Sequence, residues 1–249
     1  MRLVLASQST ARLTLLRNAG FAPEAIVSGV DEDAFDATSP VELALILARA
    51  KARAVAQRVE PGALVIGCDS VLDLDGGAFG KPTDVEDAIG RWKAMRGRQG
   101  ILVTGHCLID TRPLEEAGAV PDGDAEPAAD DQSDSIDGGS NSGGGGSGSG
   151  GSGAAGNGSA GEWREVTRAG ATLVQFAEVS DAEIEAYVAT GEPLQVAGAF
   201  TLDGIGGSFV ESIGGDPSNV IGLSLPLLRG MLAEFGISVA DLWSDPLKG

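Results

Sequence analysis

Between positions 113 and 161 this chain has almost nothing from which to build a core. These 49 residues hold fifteen glycines and nine carboxylates and no lysine or arginine, and from 138 onward they are nearly all Gly, Ser, Ala and Asn. Such a stretch buries too little apolar surface to offset its ordering entropy, so it is expected to be disordered. Whatever folds is therefore assembled from residues 1–112 and 162–249. The insertion lies between two apolar, strand-like runs, 101–109 and 163–179, and reads as an enlarged hairpin loop. The flanking pieces are then one discontinuous domain, not two.

Charge narrows the partners. The chain of 249 residues has 17 Lys and Arg against 36 Asp and Glu, a formal net charge of -19. Affinity for duplex nucleic acid comes mainly from cations on phosphates, so nucleic acid is not an expected partner. A polybasic membrane surface is excluded on the same ground. No apolar run approaches the ~20 residues of a membrane helix, and the opening Met1-Arg2-Leu3-Val4-Leu5-Ala6-Ser7 lacks the pattern of a secretory signal. The two cysteines, Cys68 and Cys107, read as reduced core residues, and a cytoplasmic location follows. With His106 as its one histidine, the chain cannot build a histidine metal cage.

Strand and helix signals alternate along the remainder. Leu3-Val4-Leu5-Ala6 is a short strand before a helix over 10–18, with Gly20 placed as its cap. Ser39-Pro40-Val41-Glu42 is a capping box opening a helix to about 59. A buried strand over 63–68 precedes Asp69 and Ser70, and Asp75-Gly76 marks a hairpin turn. Thr83 and Glu86 are expected to cap a helix with Ala88, Trp92 and Met95 on one face; Ser180 and Glu183 cap another, ending at Gly191. Further strands are expected at 101–109, within 163–179 and from 209, and a last helix over 225–235. Alternation without a repeat predicts an α/β fold, a single domain whose mixed, twisted central sheet is flanked by helices.

Several of these positions carry chemistry. Ser7-Gln8-Ser9-Thr10-Ala11-Arg12 joins a strand to a helix N-terminus, where free N–H groups, hydroxyls and a guanidinium favour an anion. The alternative is that Ser9 or Thr10 only caps the helix and Arg12 is solvated. On a helical projection Lys51 falls inside the apolar arc of Leu43, Leu47, Ala48, Ala52 and Val55. Either its stem snorkels or its ammonium is aimed into a polar pocket. Asp69, just past an apolar strand, is placed to take a proton from water or hold a divalent cation, or else is a turn aspartate. Lys81 sits in the rigid turn Gly80-Lys81-Pro82, and Glu32 lies in an acidic loop, Val30-Asp31-Glu32-Asp33. Gly204-Ile205-Gly206-Gly207 can approach a ligand closely.

Taken in order, these motifs resemble the Maf family of nucleoside triphosphate pyrophosphatases. The opening Ala6-Ser7-Gln8-Ser9-Thr10-Ala11-Arg12 is similar to the family's Ala-Ser-x-Ser-Pro-Arg-Arg. Lys51-Ala52, Gly67-Cys68-Asp69-Ser70, Gly80-Lys81-Pro82, Val196-Ala197-Gly198-Ala199-Phe200 and the closing run from Gly215 to Leu223 follow in register. The chain departs from the family at Thr10, Ala11, Gly100 and Val196. The resemblance implies two lobes around a nucleotide cleft (a Maf/Ham1-like fold), a divalent cation, Mg²⁺ or Mn²⁺, and a homodimer. It implies a hydrolase acting on acid anhydrides, releasing a nucleoside monophosphate and pyrophosphate. Asp69 would be the proton acceptor, with Lys51 and Lys81 as catalytic cations. Ser7, Ser9 and Arg12 would bind the substrate, Glu32 and Asp69 the metal, and Ala11, Ser70 and Asp203 would tune the choice of base. A carboxylate at 203 can only accept hydrogen bonds, which suits the adjacent donors of guanine better than thymine or uracil. The alternatives are a nucleotide-binding regulator of septation without turnover, and an interaction protein acting through the 113–161 insertion.

Overall fold

The computed structural model describes residues 1–113 and 163–244. Its elements in order are β1 (Arg2–Leu5), α1 (Thr10–Asn18), β2 (Glu24–Ala25), α2 (Pro40–Ala56), β3 (Ala63–Leu74), β4 (Gly77–Phe79), α3 (Val85–Met95), β5 (Gln99–Asp110), β6 (Arg164–Phe176), α4 (Asp181–Ala189), β7 (Val210–Gly214), α5 (Pro217–Ile221) and α6 (Leu225–Glu234). Seven strands form one sheet in the order β2-β1-β3-β5-β6-β7, with β4 paired to β3. β1 is parallel to β2 and β3, and the other pairings are antiparallel. The expected α/β class with a mixed sheet is what forms. The disorder expected over 113–161 concerns residues outside those described, Pro113 apart.

Side chains of a strand alternate between faces, and β1 shows how the two faces are covered. Leu3 and Leu5 join Leu16 of α1 and Leu228 and Met231 of α6, whereas Val4 and Ala6 join Ala48, Ala52 and Val55 of α2. A second core gathers at the far ends of the long strands: Leu72 and Leu74 of β3 and Val174 and Phe176 of β6 pack with Trp92 of α3 and Ile184 and Tyr187 of α4. Trp92 meets Phe176 and Tyr187 edge-on at 5.8 and 5.4 Å, and its indole N–H donates to the Ala199 carbonyl at 2.8 Å. β3 thus has apolar packing toward each end and carries Asp69 and Ser70 in the middle.

The location of Asp69 corrects the sequence reading. The strand does not stop at Cys68, because Val71 and Leu72 pair with Val103 and Leu102 of β5 and are buried with them. Local caps differ too. Asp84, not Thr83, caps α3, its Oδ1 accepting the Asp87 N–H at 2.8 Å, while Asp87 reaches back to the Thr83 N–H. Ser39 accepts the Glu42 N–H at 3.2 Å, but Glu42 turns to the N–H and hydroxyl of Thr38, so the reciprocal half of the expected box is absent. α2 ends at Ala56, short of 59. Ser180 and Glu183 form the full box, and Asp75 and Gly76 take the positive φ of the expected hairpin turn.

Two glycines set the height of α2 above the sheet. A Cβ on Gly67 would lie 2.7 Å from the Ala52 nitrogen and closer still to the Ala48 carbonyl oxygen. One on Gly105 would lie 2.8 Å from the Leu45 nitrogen and closer to the Ala44 carbonyl. α2 therefore rests on the bare backbone of β3 and β5, and that close approach carries Lys51 down to Asp69.

Candidate functional site

β1 pairs with β3 from Ala63 to Ile66, and β4 pairs with it from Leu72 to Leu74. Between them, at 67–71, no described strand lies against that edge. The notch is polar, and alternation sends Asp69 toward α2 and Ser70 toward α1.

On the α2 side the Lys51 ammonium lies 2.5 Å from Asp69 Oδ1 and 2.7 Å from Glu32 Oε1. Lys51 and Asp69 are each 7% exposed, so the lysine does not snorkel; of the two readings of its projection, the pocket is the one observed. Burial pushes the Asp69 carboxyl above its ordinary pKa, against the pull of the Lys51 and Arg12 charges. Glu32 arrives from a single 3₁₀ turn, Glu32–Ala34, capped by Asp31. Burial works to raise its pKa as well, but the Lys51 hydrogen bond and the charges of Lys51, Lys81 and Arg12 outweigh it, and the net shift is downward. The acidic loop is therefore not simply a solvated surface: Glu32, though exposed, reaches the buried Lys51 ammonium.

On the α1 side Arg12 is anchored, not solvated. Its guanidinium donates to Ser7 Oγ at 3.3 Å, to Ser70 Oγ at 2.9 Å and to the Gly222 carbonyl at 2.6 Å. Ser9 is the helix cap, accepting the Arg12 backbone N–H at 3.3 Å, and Ser7 Oγ accepts the Ser9 N–H at 3.1 Å. Ala11 is half-buried on the first turn of α1, and Lys81 is exposed, with its charge felt at Glu32. The structure thus brings Ser7, Arg12, Glu32, Lys51, Asp69 and Ser70 to one notch, with Lys81 beside it.

Asp203 is not joined to them. It is exposed, and the hydrogen bonds and ion pairs of Arg12, Lys51 and Asp69 go to other residues. Its loop is wound around a residue the sequence reading missed. The Glu192 carboxylate accepts from Tyr187 OH at 2.8 Å, Thr201 Oγ1 at 2.5 Å and the N–H groups of Ile205 and Gly206 at 3.1 and 3.0 Å. Cys68 is buried and its thiol is pushed up to about 12 by desolvation, so it is core, as expected, and not a nucleophile.

The one histidine is structural. His106 Nε2 accepts the Ser224 backbone N–H at 2.7 Å, an interaction that requires the ring to be neutral. Burial first, and then the Arg12 charge, lower its pKa from 6.5 to about 4. An unfolded chain binds this proton below about pH 6.5, whereas the folded chain holds it off until about pH 4. The contribution is therefore complete above pH 6.5 and is lost as pH falls through that window, on the order of 3 kcal/mol at its acid end. Thermal unfolding of the wild type between pH 7 and 4 should fall more steeply than that of His106→Gln. Parallel curves would contradict the assignment.

The sequence relationships agree with this arrangement. The family model for Maf-like proteins matches residues 2–126 and 153–235. A nucleoside triphosphate pyrophosphatase of Streptomyces coelicolor is 52% identical over 98% of this chain and 95% of its own. Proteins of the same name from Streptomyces avermitilis and Salinispora tropica are 50% and 46% identical, over 99% and 98% of this chain and 97% and 88% of theirs. The match spans both sides of the insertion and takes in the whole polar notch, and on that ground the chain belongs to the Maf-like protein family.

Proposed function

We propose that the protein hydrolyses nucleoside triphosphates at the α-phosphorus, giving a nucleoside monophosphate and pyrophosphate. The observation that carries this reading is the buried Lys51 ammonium held between Asp69 and Glu32, opposite an Arg12 clamped by three acceptors. Hydrolysis of a phosphoanhydride needs charge neutralisation and one activated water, with no covalent intermediate. Arg12, Lys51 and Lys81 hold phosphate oxygens, with Ser7 and the start of α1 at the same end. Asp69 takes a proton from the attacking water as its oxygen bonds to the α-phosphorus, and the bond to the bridging oxygen breaks with pyrophosphate as the leaving group. A carboxyl raised by burial suits a base working near neutral pH.

The donor set fits a divalent cation that arrives with the triphosphate. Two carboxylates converge on one cationic atom, and among the described residues no group of three or more His, Cys, Asp or Glu side chains is placed to hold a metal ion. That is too few ligands for a closed protein cage but matches Mg²⁺ or Mn²⁺ bound by one or two carboxylates, waters and phosphate oxygens. Glu32 and Asp69 would hold it, and when bound it supplies charge neutralisation on the triphosphate.

The test is pyrophosphate release from a panel of purine and pyrimidine triphosphates, with Mg²⁺, Mn²⁺ or chelator; orthophosphate as the product would reject the reaction. Lys51→Met should keep the fold, because a long unbranched chain fills the same slot, and should lose turnover. Full activity in that variant would remove Lys51 from the reaction. A regulator of septation that only binds nucleotide leaves the buried Lys51–Asp69 pair and its Glu32 partner without a task, and is not favoured. The reading also includes a guanine-type base preference read by Asp203, a homodimer in the cytoplasm, and one domain over 1–112 and 162–249. The direct pairing of β5 with β6, Asp110 opposite Arg164, supports that domain. No helix among the described residues is long and apolar enough to cross a membrane.

A further inference from the structure

Arg12 is held through a chain of hydroxyls whose proton directions are fixed by its two ends. A guanidinium has only donors, so Ser70 Oγ accepts from Arg12 at 2.9 Å. The single proton of Ser70 then goes to Thr104 Oγ1, also 2.9 Å away. At the far end Thr104 Oγ1 lies 2.9 Å from the Asn219 carbonyl oxygen, which can only accept. Thr104 therefore donates to Asn219 and accepts from Ser70. Each proton is assigned: Arg12 to Ser70, Ser70 to Thr104, Thr104 to the Asn219 carbonyl.

The end of the chain is rigid. Thr104 and Asn219 are fully buried. The Asn219 side-chain amide donates to the Leu102 carbonyl and to Thr172 Oγ1, both at 3.1 Å, and Thr172 donates to the Asp216 carbonyl at 3.0 Å. Three residues after Asn219 the chain turns at Gly222, with φ +116°, and that carbonyl accepts the Arg12 Nε–H. A Cβ at Gly222 would stand 2.9 Å from that Nε. The short segment 216–222 thus fixes the guanidinium twice, once directly and once through Thr104 and Ser70.

We propose that Thr104 is a positioning residue for Arg12, and that Ser70 acts on the triphosphate through the arginine. The proposal rests on the reading of Arg12 as a phosphate ligand. Ser70 has committed its one proton to Thr104 and one of its two lone pairs to the arginine, so it has no donor left for a base carbonyl, and the cation it orients has a target common to every nucleotide.

The experiment measures binding of α,β-methylene GTP and α,β-methylene dTTP, which are not cleaved at the α-phosphorus, and KM and kcat for GTP and dTTP. Thr104→Val keeps the shape of the side chain and removes the hydroxyl. It should weaken both analogues about tenfold, by the same factor, and raise KM more than it lowers kcat. Thr104→Ser should restore affinity to within about threefold. In an Arg12→Ala background Thr104→Val should have no further effect. Ser70→Ala cuts the chain at its less buried end and carries the test should Thr104→Val fail to fold. Unchanged affinity in Ser70→Ala and Thr104→Val, an undiminished effect without Arg12, or a loss confined to one base would each overturn the proposal. Should the wild type bind both analogues yet release no pyrophosphate from any triphosphate, the reaction assignment fails while the positioning role is still measured.

Discussion

Asp69→Asn is expected to lower kcat for pyrophosphate release by at least about two orders of magnitude, the effect of removing a general base. The substitution keeps size and one acceptor oxygen, so Lys51 can retain a hydrogen bond there as well as its contact with Glu32 at 2.7 Å. What is lost is the capacity to take a proton. Because Asp69 lies inside β3 and not in a loop, its backbone is fixed by β5 through Gly105, and the variant should show the wild-type far-UV spectrum. A folded Asp69→Asn enzyme with wild-type turnover would show that another group activates the water.

Gly105→Ala should damage both stability and activity. Its Cβ would be driven against the backbone of Ala44 and Leu45, atoms that no side-chain rotation can clear. Either α2 lifts or the strand distorts, and overpacking of this kind costs on the order of 1–3 kcal/mol. Because α2 carries Lys51, a lifted helix also withdraws the ammonium from Asp69, so turnover should fall by more than the loss of folded protein explains. Gly90→Ala, in the interior of α3 with nothing within 4 Å of the added atom, is the control. It should leave stability unchanged or raise it by up to about 1 kcal/mol. Equal Tm values for the two variants would contradict this account of the packing of α2.

Local signals in the sequence were informative where local physics decides the outcome. The apolar arc around Lys51 marked a lysine that the structure buries, with the choice between snorkelling and pocket left open, the box at Ser180 and Glu183 formed as spaced, and Asp75-Gly76 made its turn. Where the outcome depends on what a segment pairs with, the sequence was silent or misleading. Asp69 looked like the end of a strand because the polar pair Asp69-Ser70 follows an apolar run, and only pairing with β5 carries the strand on to Leu74. Glu32 looked like one carboxylate among several, and its contact with the ammonium requires Lys51, nineteen positions away, to be buried first. Thr104 was not singled out, and Asn219 was only one residue of the closing motif with no role attached. Their hydroxyl and carbonyl matter because β5 and α5 meet behind Ser70, a contact between residues 115 positions apart. Glu192 was missed for the same reason, since three of its four donors lie nine to fourteen residues along the chain.

Attack of water on the α-phosphorus is the central claim, and the fate of oxygen tests it most directly. Hydrolysis of a nucleoside triphosphate in H₂¹⁸O, followed by mass spectrometry of both products, locates the bond that forms. The account predicts one ¹⁸O in the nucleoside monophosphate and none in the pyrophosphate. Label in the pyrophosphate, or release of labelled orthophosphate, would contradict it.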